Sequence, residues 1–160
     1  MFFLAVMALV IFFVPDPEVG LAEMKRVTKP GGTVAAYVWD VFEGGLPTEE
    51  FYTEFRAHGI EYPQFPSSEA SKLEVLENLW KTNNLQNTES KKIYVERTFD
   101  NFEDYWQINA FSMAMKPIFD ELDPDTVEKI KTSIKNKVST GSSEDPVVIR
   151  GHVNAIKGIV

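Results

Sequence analysis

Residues 1–14, MFFLAVMALVIFFV, are apolar at every position and carry no charge. A continuous run of this kind, rather than an alternating one, predicts a strand covered on both faces, as in a parallel sheet. Phe2, Phe3, Val6, Val10, Ile11, Phe12, Phe13 and Val14 supply the aromatic and β-branched bias of such strands. Two other readings compete with it. A transmembrane helix needs about 20 apolar residues, which makes the run too short. A signal peptide needs a basic segment before the apolar one and a small-x-small cleavage site after it; Val14-Pro15-Asp16-Pro17 is a poor one.

Beyond the run the period changes. Asp16 can cap a helix, Pro17 suits its first position, and Leu21, Met24 and Val27 recur at helical spacing. Lys29-Pro30-Gly31-Gly32 then predicts a type II turn, and Thr33 to Trp39 a strand. Strand, helix and strand with so short a turn predict a right-handed βαβ unit with parallel strands. Residues 41–66 form a Gly- and Pro-containing excursion with one short helix over 48–57. Ser71 and Glu74 have the spacing of a capping box, ahead of a helix striped by Leu73, Leu76, Leu79 and Trp80. A strand is expected over 91–99, an aromatic-rich helix over 101–119 and a helix from Asp123 to Val138. A flexible polar link over 141–146 and a closing strand over 147–160 complete the chain. The expected organisation is one partial domain: a β-α-β core (1–40), the excursion (41–66), helices plus one strand (67–145) and the closing strand (146–160). Alternation of this kind is an α/β layer.

Composition narrows the function classes. A net charge of −8 with scattered basic residues argues against nucleic acid as a partner. Lys25, Arg26 and Lys29 are the nearest approach to a basic patch. They sit at a helix C-terminus, where positive charge suits the macrodipole. With no cysteine there is no disulfide, thiolate metal site or thiol nucleophile. His58 and His152 lack any ligand spacing, so no metal is expected. A cytoplasmic location is expected, membrane association being unlikely; residues 1–14 acting as a signal or anchor would make the chain secreted or membrane-bound instead.

The stretch Val14 to Asp40, VPDPEVGLAEMKRVTKPGGTVAAYVWD, resembles the middle of class I S-adenosylmethionine-dependent methyltransferases of the small-molecule type. The resemblance implies an α/β, Rossmann-like sheet that is incomplete. Phe2 to Phe13 matches the family's fourth strand and Thr33 to Asp40 the fifth. Lys91 to Phe99 and Val147 to Val160 match the sixth and seventh, with flanking helices. The family's glycine-rich loop after its first strand, and the acidic residue ending its second, are not found here. The expectation is therefore that the N-terminal cofactor-binding half is missing, and that affinity for S-adenosylmethionine is lost or very weak. The family usually has Asp where Phe3 stands, a small polar residue near Met7 and often His near Phe12; all three are apolar here.

By resemblance, Leu9, Val10 and Phe13 would face the adenosyl and methyl groups. Trp39 and Asp40 end a strand of an open α/β sheet, where ligands sit, so Asp40 is a candidate for orienting a small-molecule methyl acceptor. Tyr105, Trp106 and Phe111 match a segment that covers the substrate pocket in similar enzymes; an aromatic stripe at helical spacing also reads as plain core. His58 is the one candidate base. If the strands before it are absent, the first strand becomes an exposed apolar edge, through which the chain would self-associate or pair with another chain without catalysing anything.

Overall fold

β1 (Phe2–Ala8) and β2 (Thr28–Trp39) run parallel and are joined by α1 (Pro17–Val27), which gives the expected βαβ unit. The structure, a computed structural model, describes residues 1–139, 141–142 and 144–160. The cap that starts α1 is local: the Asp16 carboxylate accepts from the Val19 amide at 3.1 Å, and Pro17 occupies the first turn, where its missing N–H costs nothing. The Lys-Pro-Gly-Gly segment is absorbed into β2 rather than preceding it. Phe2 pairs with Thr28 and Leu4 with Thr33, so Lys29 to Gly32 loop out of the ladder. Gly31 has φ 78°, the left-handed conformation that the third residue of a type II turn requires.

The remaining elements are α2 (Glu49–Ala57), α3 (Leu73–Thr82), β3 (Gln86–Phe99), α4 (Phe102–Ala110), α5 (Lys116–Phe119), α6 (Pro124–Val138) and β4 (Val147–Ile159). The strands form one four-stranded mixed sheet in the order β1-β2-β4-β3, with β4 antiparallel to β2. In the numbering implied by the resemblance this order is fourth, fifth, seventh, sixth. The last strand of the chain is thus inserted beside the fifth.

The chain divides into two compact units. One comprises residues 1–46, 64–95 and 151–160, the other residues 47–63 and 96–150. The first buries Ile11, Leu21, Val34, Val38, Leu76, Trp80 and Ile156. The second buries Phe51, Phe55, Tyr105, Trp106, Ile130 and Ile134. Trp80 of the first unit also donates its Nε1 to the Val34 carbonyl at 3.3 Å, which satisfies its one polar atom inside the core.

Several expectations are corrected. The first strand ends at Ala8, and Ile11–Phe13 form a short 3₁₀ turn whose Ile11 and Phe12 enter the core. β1 is not covered on both faces: it is an edge of the sheet, and Phe2, Phe3, Leu4 and Val6 are exposed, Phe3 at 75%. The helix expected over 101–119 is two helices: Pro117 lacks an N–H and its ring would clash with a preceding helical turn, and it stands instead in the first turn of α5. Ser71 does not form a capping box; it is fully buried and its hydroxyl accepts from the Val41 amide at 3.4 Å. Of the polar link over 141–146, Ser143 lies outside the described residues. No helix among the described residues is long and apolar enough to cross a membrane.

The candidate basic patch is spent locally. Arg26 pairs with Glu23 at 2.9 Å, Lys25 donates to the Asn83 carbonyl at 2.6 Å, and Lys29 lies over the Phe3 ring at 4.0 Å.

Candidate active site

Because β1 and β2 are parallel, their carboxyl ends lie side by side, Ala8 opposite Tyr37. This brings Leu9, Val10 and Phe13 to the same edge as Trp39 and Asp40. Leu9 has φ 55°, a left-handed backbone that costs a non-glycine residue energy and ends the strand sharply. Its amide still donates to the Tyr37 carbonyl at 2.8 Å, so the break is pinned to β2. Val10 and Phe13 are exposed beyond it, and the Phe13 ring packs against Phe12 and Phe65 at 4.5 and 5.3 Å.

Asp40 follows the last residue of β2 and is 3% exposed. Its Oδ1 accepts from the amides of Phe42 and Glu43 at 3.1 and 3.0 Å. Its Oδ2 accepts from Asn154 Nδ2 at 2.9 Å, and the same Nδ2 reaches the Ser71 carbonyl at 2.8 Å. Two further groups face Oδ2: Lys92 Nζ at 3.6 Å and His152 Nε2 at 3.5 Å. Lys92 also pairs with Glu43. Burial alone would push the Asp40 carboxyl up. The hydrogen bonds from Asn154, Phe42 and Glu43, together with the Lys92 charge, outweigh it and hold the group below the ordinary carboxylate value. Asp40 is thus a fixed anion at neutral pH, suited to orienting a donor or cation and unsuited to accepting a proton.

The backbone around it is equally fixed. The Asp40 amide donates to the His152 carbonyl at 3.3 Å, the His152 amide to the Gly45 carbonyl at 3.1 Å, and the Gly45 amide to the Asp40 carbonyl at 2.8 Å. At Gly45 a Cβ would stand 2.4 Å from the His152 carbonyl oxygen, so only glycine allows β4 to approach this closely.

His152, Asn154, Glu43 and Lys92 are the residues that sequence reasoning missed. His152 and Asn154 are an i, i+2 pair on one face of β4, and both are buried polar residues. That polar pair, two residues apart between Gly151 and Ile156 in β4, is the signal that was available.

The remaining sequence candidates belong to the second unit. Tyr105 and Trp106 are buried within its aromatic cluster, Trp106 stacked on Phe51 at 5.5 Å, and Phe111 is exposed. The Tyr105 hydroxyl is buried with no hydrogen-bond partner among the described residues, and burial, with Glu50 nearby, pushes its pKa up. His58 ends α2 with Nε2 3.7 Å from Glu54 Oε2. Glu54 in turn accepts from Ser133 and Lys137 at 2.7 and 2.8 Å.

Comparison with known proteins agrees with the resemblance. Residues 2–36 match the model of a family described as a methyltransferase domain. Among solved structures, the chain is similar to a candidate type II methyltransferase from Anaeromyxobacter dehalogenans. The TM-score is 0.60 at 15% identity, covering 98% of this chain and 63% of that one. The YcgJ protein of Bacillus subtilis gives 0.54 at 14% identity, covering 99% and 63%. A candidate methyltransferase from Bacillus halodurans gives 0.53 at 14%, covering 99% and 64%. At these identities the likeness is one of fold. The chain spans a little under two thirds of the length of each of these structures. No curated protein matches the sequence. The likeness to class I methyltransferases thus stands on a sequence match at the N-terminal unit of the sheet and on a shared fold.

Proposed function

We propose that this chain, matched by the methyltransferase-domain family over residues 2–36, serves S-adenosylmethionine-dependent methyl transfer to a small-molecule acceptor. The observation that carries the reading is the paired carboxyl ends of β1 and β2. There the left-handed break at Leu9 and the buried anion Asp40 share one edge of a mixed sheet, in a chain whose fold is similar to that of solved methyltransferases. In open α/β sheets that edge is where ligands bind.

The residues fit one side of the cofactor. Leu9, Val10 and Phe13 offer apolar contact to an adenosyl or methyl group, and Asp40 with Trp39 flanks the place for an acceptor. S-adenosylmethionine supplies an electrophilic methyl group on a sulfonium. The chain's own contribution is to hold the acceptor in line with it and keep water away. Asp40, ionised at neutral pH, orients a donor group on the acceptor and favours positive charge there. The glycine-rich loop and ribose carboxylate of the family are not in this sequence, so affinity of these 160 residues for the cofactor is expected to be weak. Photo-cross-linking with methyl-labelled S-adenosylmethionine tests the reading. Label is expected on peptides containing 9–13 or 39–43; label confined to other peptides would overturn it.

A second reading has its own support. β1 presents exposed Phe2, Phe3, Leu4 and Val6 on an edge strand, the feature that lets one sheet extend another. In that reading the chain pairs through β1 with a second copy of itself and need not catalyse anything.

A further inference from the structure

We infer that Asp40, Glu43 and His152 form a binding site for a divalent transition-metal cation of the zinc class. The three residues each direct one ligand atom into a common space, all within 4.8 Å of one another. They come from the turn after β2 and from β4, residues that the Gly45 contact and three backbone hydrogen bonds hold together, so the two buried ligands are placed before any ion arrives.

The independent observation is His152. It is 8% exposed, and its Nε2 has no hydrogen-bond partner among the described residues. That atom stands 3.5 Å from Asp40 Oδ2 with no hydrogen bond between them. A buried ring nitrogen without a partner is costly, and a cation in front of it would satisfy it. The 3.5 Å between His152 Nε2 and Asp40 Oδ2 suits coordination, and the exposed Glu43 side chain is free to close the rest of the distance. Ligands at roughly 2.0–2.1 Å from a tetrahedral zinc-class ion stand about 3.4 Å apart. Asn154 and the amides of Phe42 and Glu43 hold the Asp40 carboxylate in the way that outer hydrogen bonds orient a metal ligand.

Charge points the same way. Of the cations near the two carboxylates, only Lys92 pairs with them directly; Lys72, which also feels the Asp40 charge, is bonded to Glu69. The Lys92 side chain is 29% exposed at the end of a flexible stem, and can swing into water when an ion takes its place between Asp40 and Glu43. One imidazole and two carboxylates are a donor set for zinc, cobalt or manganese rather than for calcium, which takes oxygen alone. Three protein ligands leave open positions on the ion. The site does not depend on methyl transfer by this chain.

Cobalt(II) titration of the full chain, read by its visible absorption and by calorimetry, tests the inference. One ion per chain is expected for the wild type. Lys92→Met, which removes the competing cation, should bind at least about fivefold more tightly. Glu43→Gln, at an exposed position that leaves the fold intact, should bind about tenfold more weakly, and His152→Ala at least as weakly. Binding unchanged by both Glu43→Gln and Lys92→Met would overturn the inference, as would no saturable binding by folded Lys92→Met.

Discussion

Asn154 donates its Nδ2 to Asp40 Oδ2 at 2.9 Å, joining two fully enclosed side chains 114 residues apart in sequence. The bond closes β4 against the turn after β2. It also explains how a buried carboxylate stays ionised without a salt bridge of ideal geometry.

Removing either partner should therefore cost stability. Asn154→Ala leaves Asp40 Oδ2 one donor short and the Ser71 carbonyl unpaired, a loss of about 2 kcal/mol. Asp40→Ala leaves three donors without an acceptor and should cost more, about 3 kcal/mol. Urea unfolding of the two variants checks the order.

Gly45→Ala should destabilise by about 2–3 kcal/mol, since its Cβ would overlap backbone atoms of both His152 and Asp40 rather than a side chain that can move. The same unfolding measurement applies. The neighbouring Gly44, with nothing within 4 Å of its Cβ position, is a fair control only for crowding, since its φ of 72° strains alanine separately.

In the second unit, Glu54 sets a pH dependence. Burial would push its carboxyl up, but hydrogen bonds from Lys137 and Ser133, and the charges of Lys137 and His58, hold it below the ordinary value. A lowered folded pKa stabilises at pH above the unfolded value of about 4.3, and the gain is lost as pH falls through the folded value. The Lys137 pKa is raised, chiefly by its bond to Glu54, so its share is fully present below the unfolded value of about 10.4 and is lost as pH rises through the higher folded value. Stability measured against pH should fall on both sides of this window. Glu54→Gln should flatten both limbs.

The edge strand gives a solution test. Wild-type chain is expected to self-associate in sedimentation velocity, and Leu4→Lys with Val6→Lys should return it to monomer, because charge on an edge strand blocks sheet extension. A monodisperse wild-type monomer would remove the second reading.

What the sequence made legible is local. Asp16 and Asp123 cap their helices as their positions imply, the latter by accepting from the Thr126 amide at 2.9 Å, and the stripes Leu21-Met24 and Ile130-Ile134 face their cores. The matching of strands to the family's fourth to seventh followed from the resemblance, whereas their order in the sheet, with β4 between β2 and β3, is read from the structure alone. The left-handed turn at Leu9 was hidden because nothing in an apolar run marks where pairing ends; the strand stops where Leu9 breaks, not where hydrophobicity does. Asp40 was found because it ends a strand. Its partners His152, Asn154 and Lys92 were not, since they reach it through the register of β4 and through β3, which no local spacing encodes.

The most direct test of the methyltransferase reading is an amide NMR titration with S-adenosylhomocysteine, which detects contacts even at millimolar affinity. Shifts that saturate and cluster at Leu9, Val10, Phe13 and the Trp39–Glu43 turn are expected. No perturbation of those amides, or shifts confined to the unit of residues 47–63 and 96–150, would contradict it.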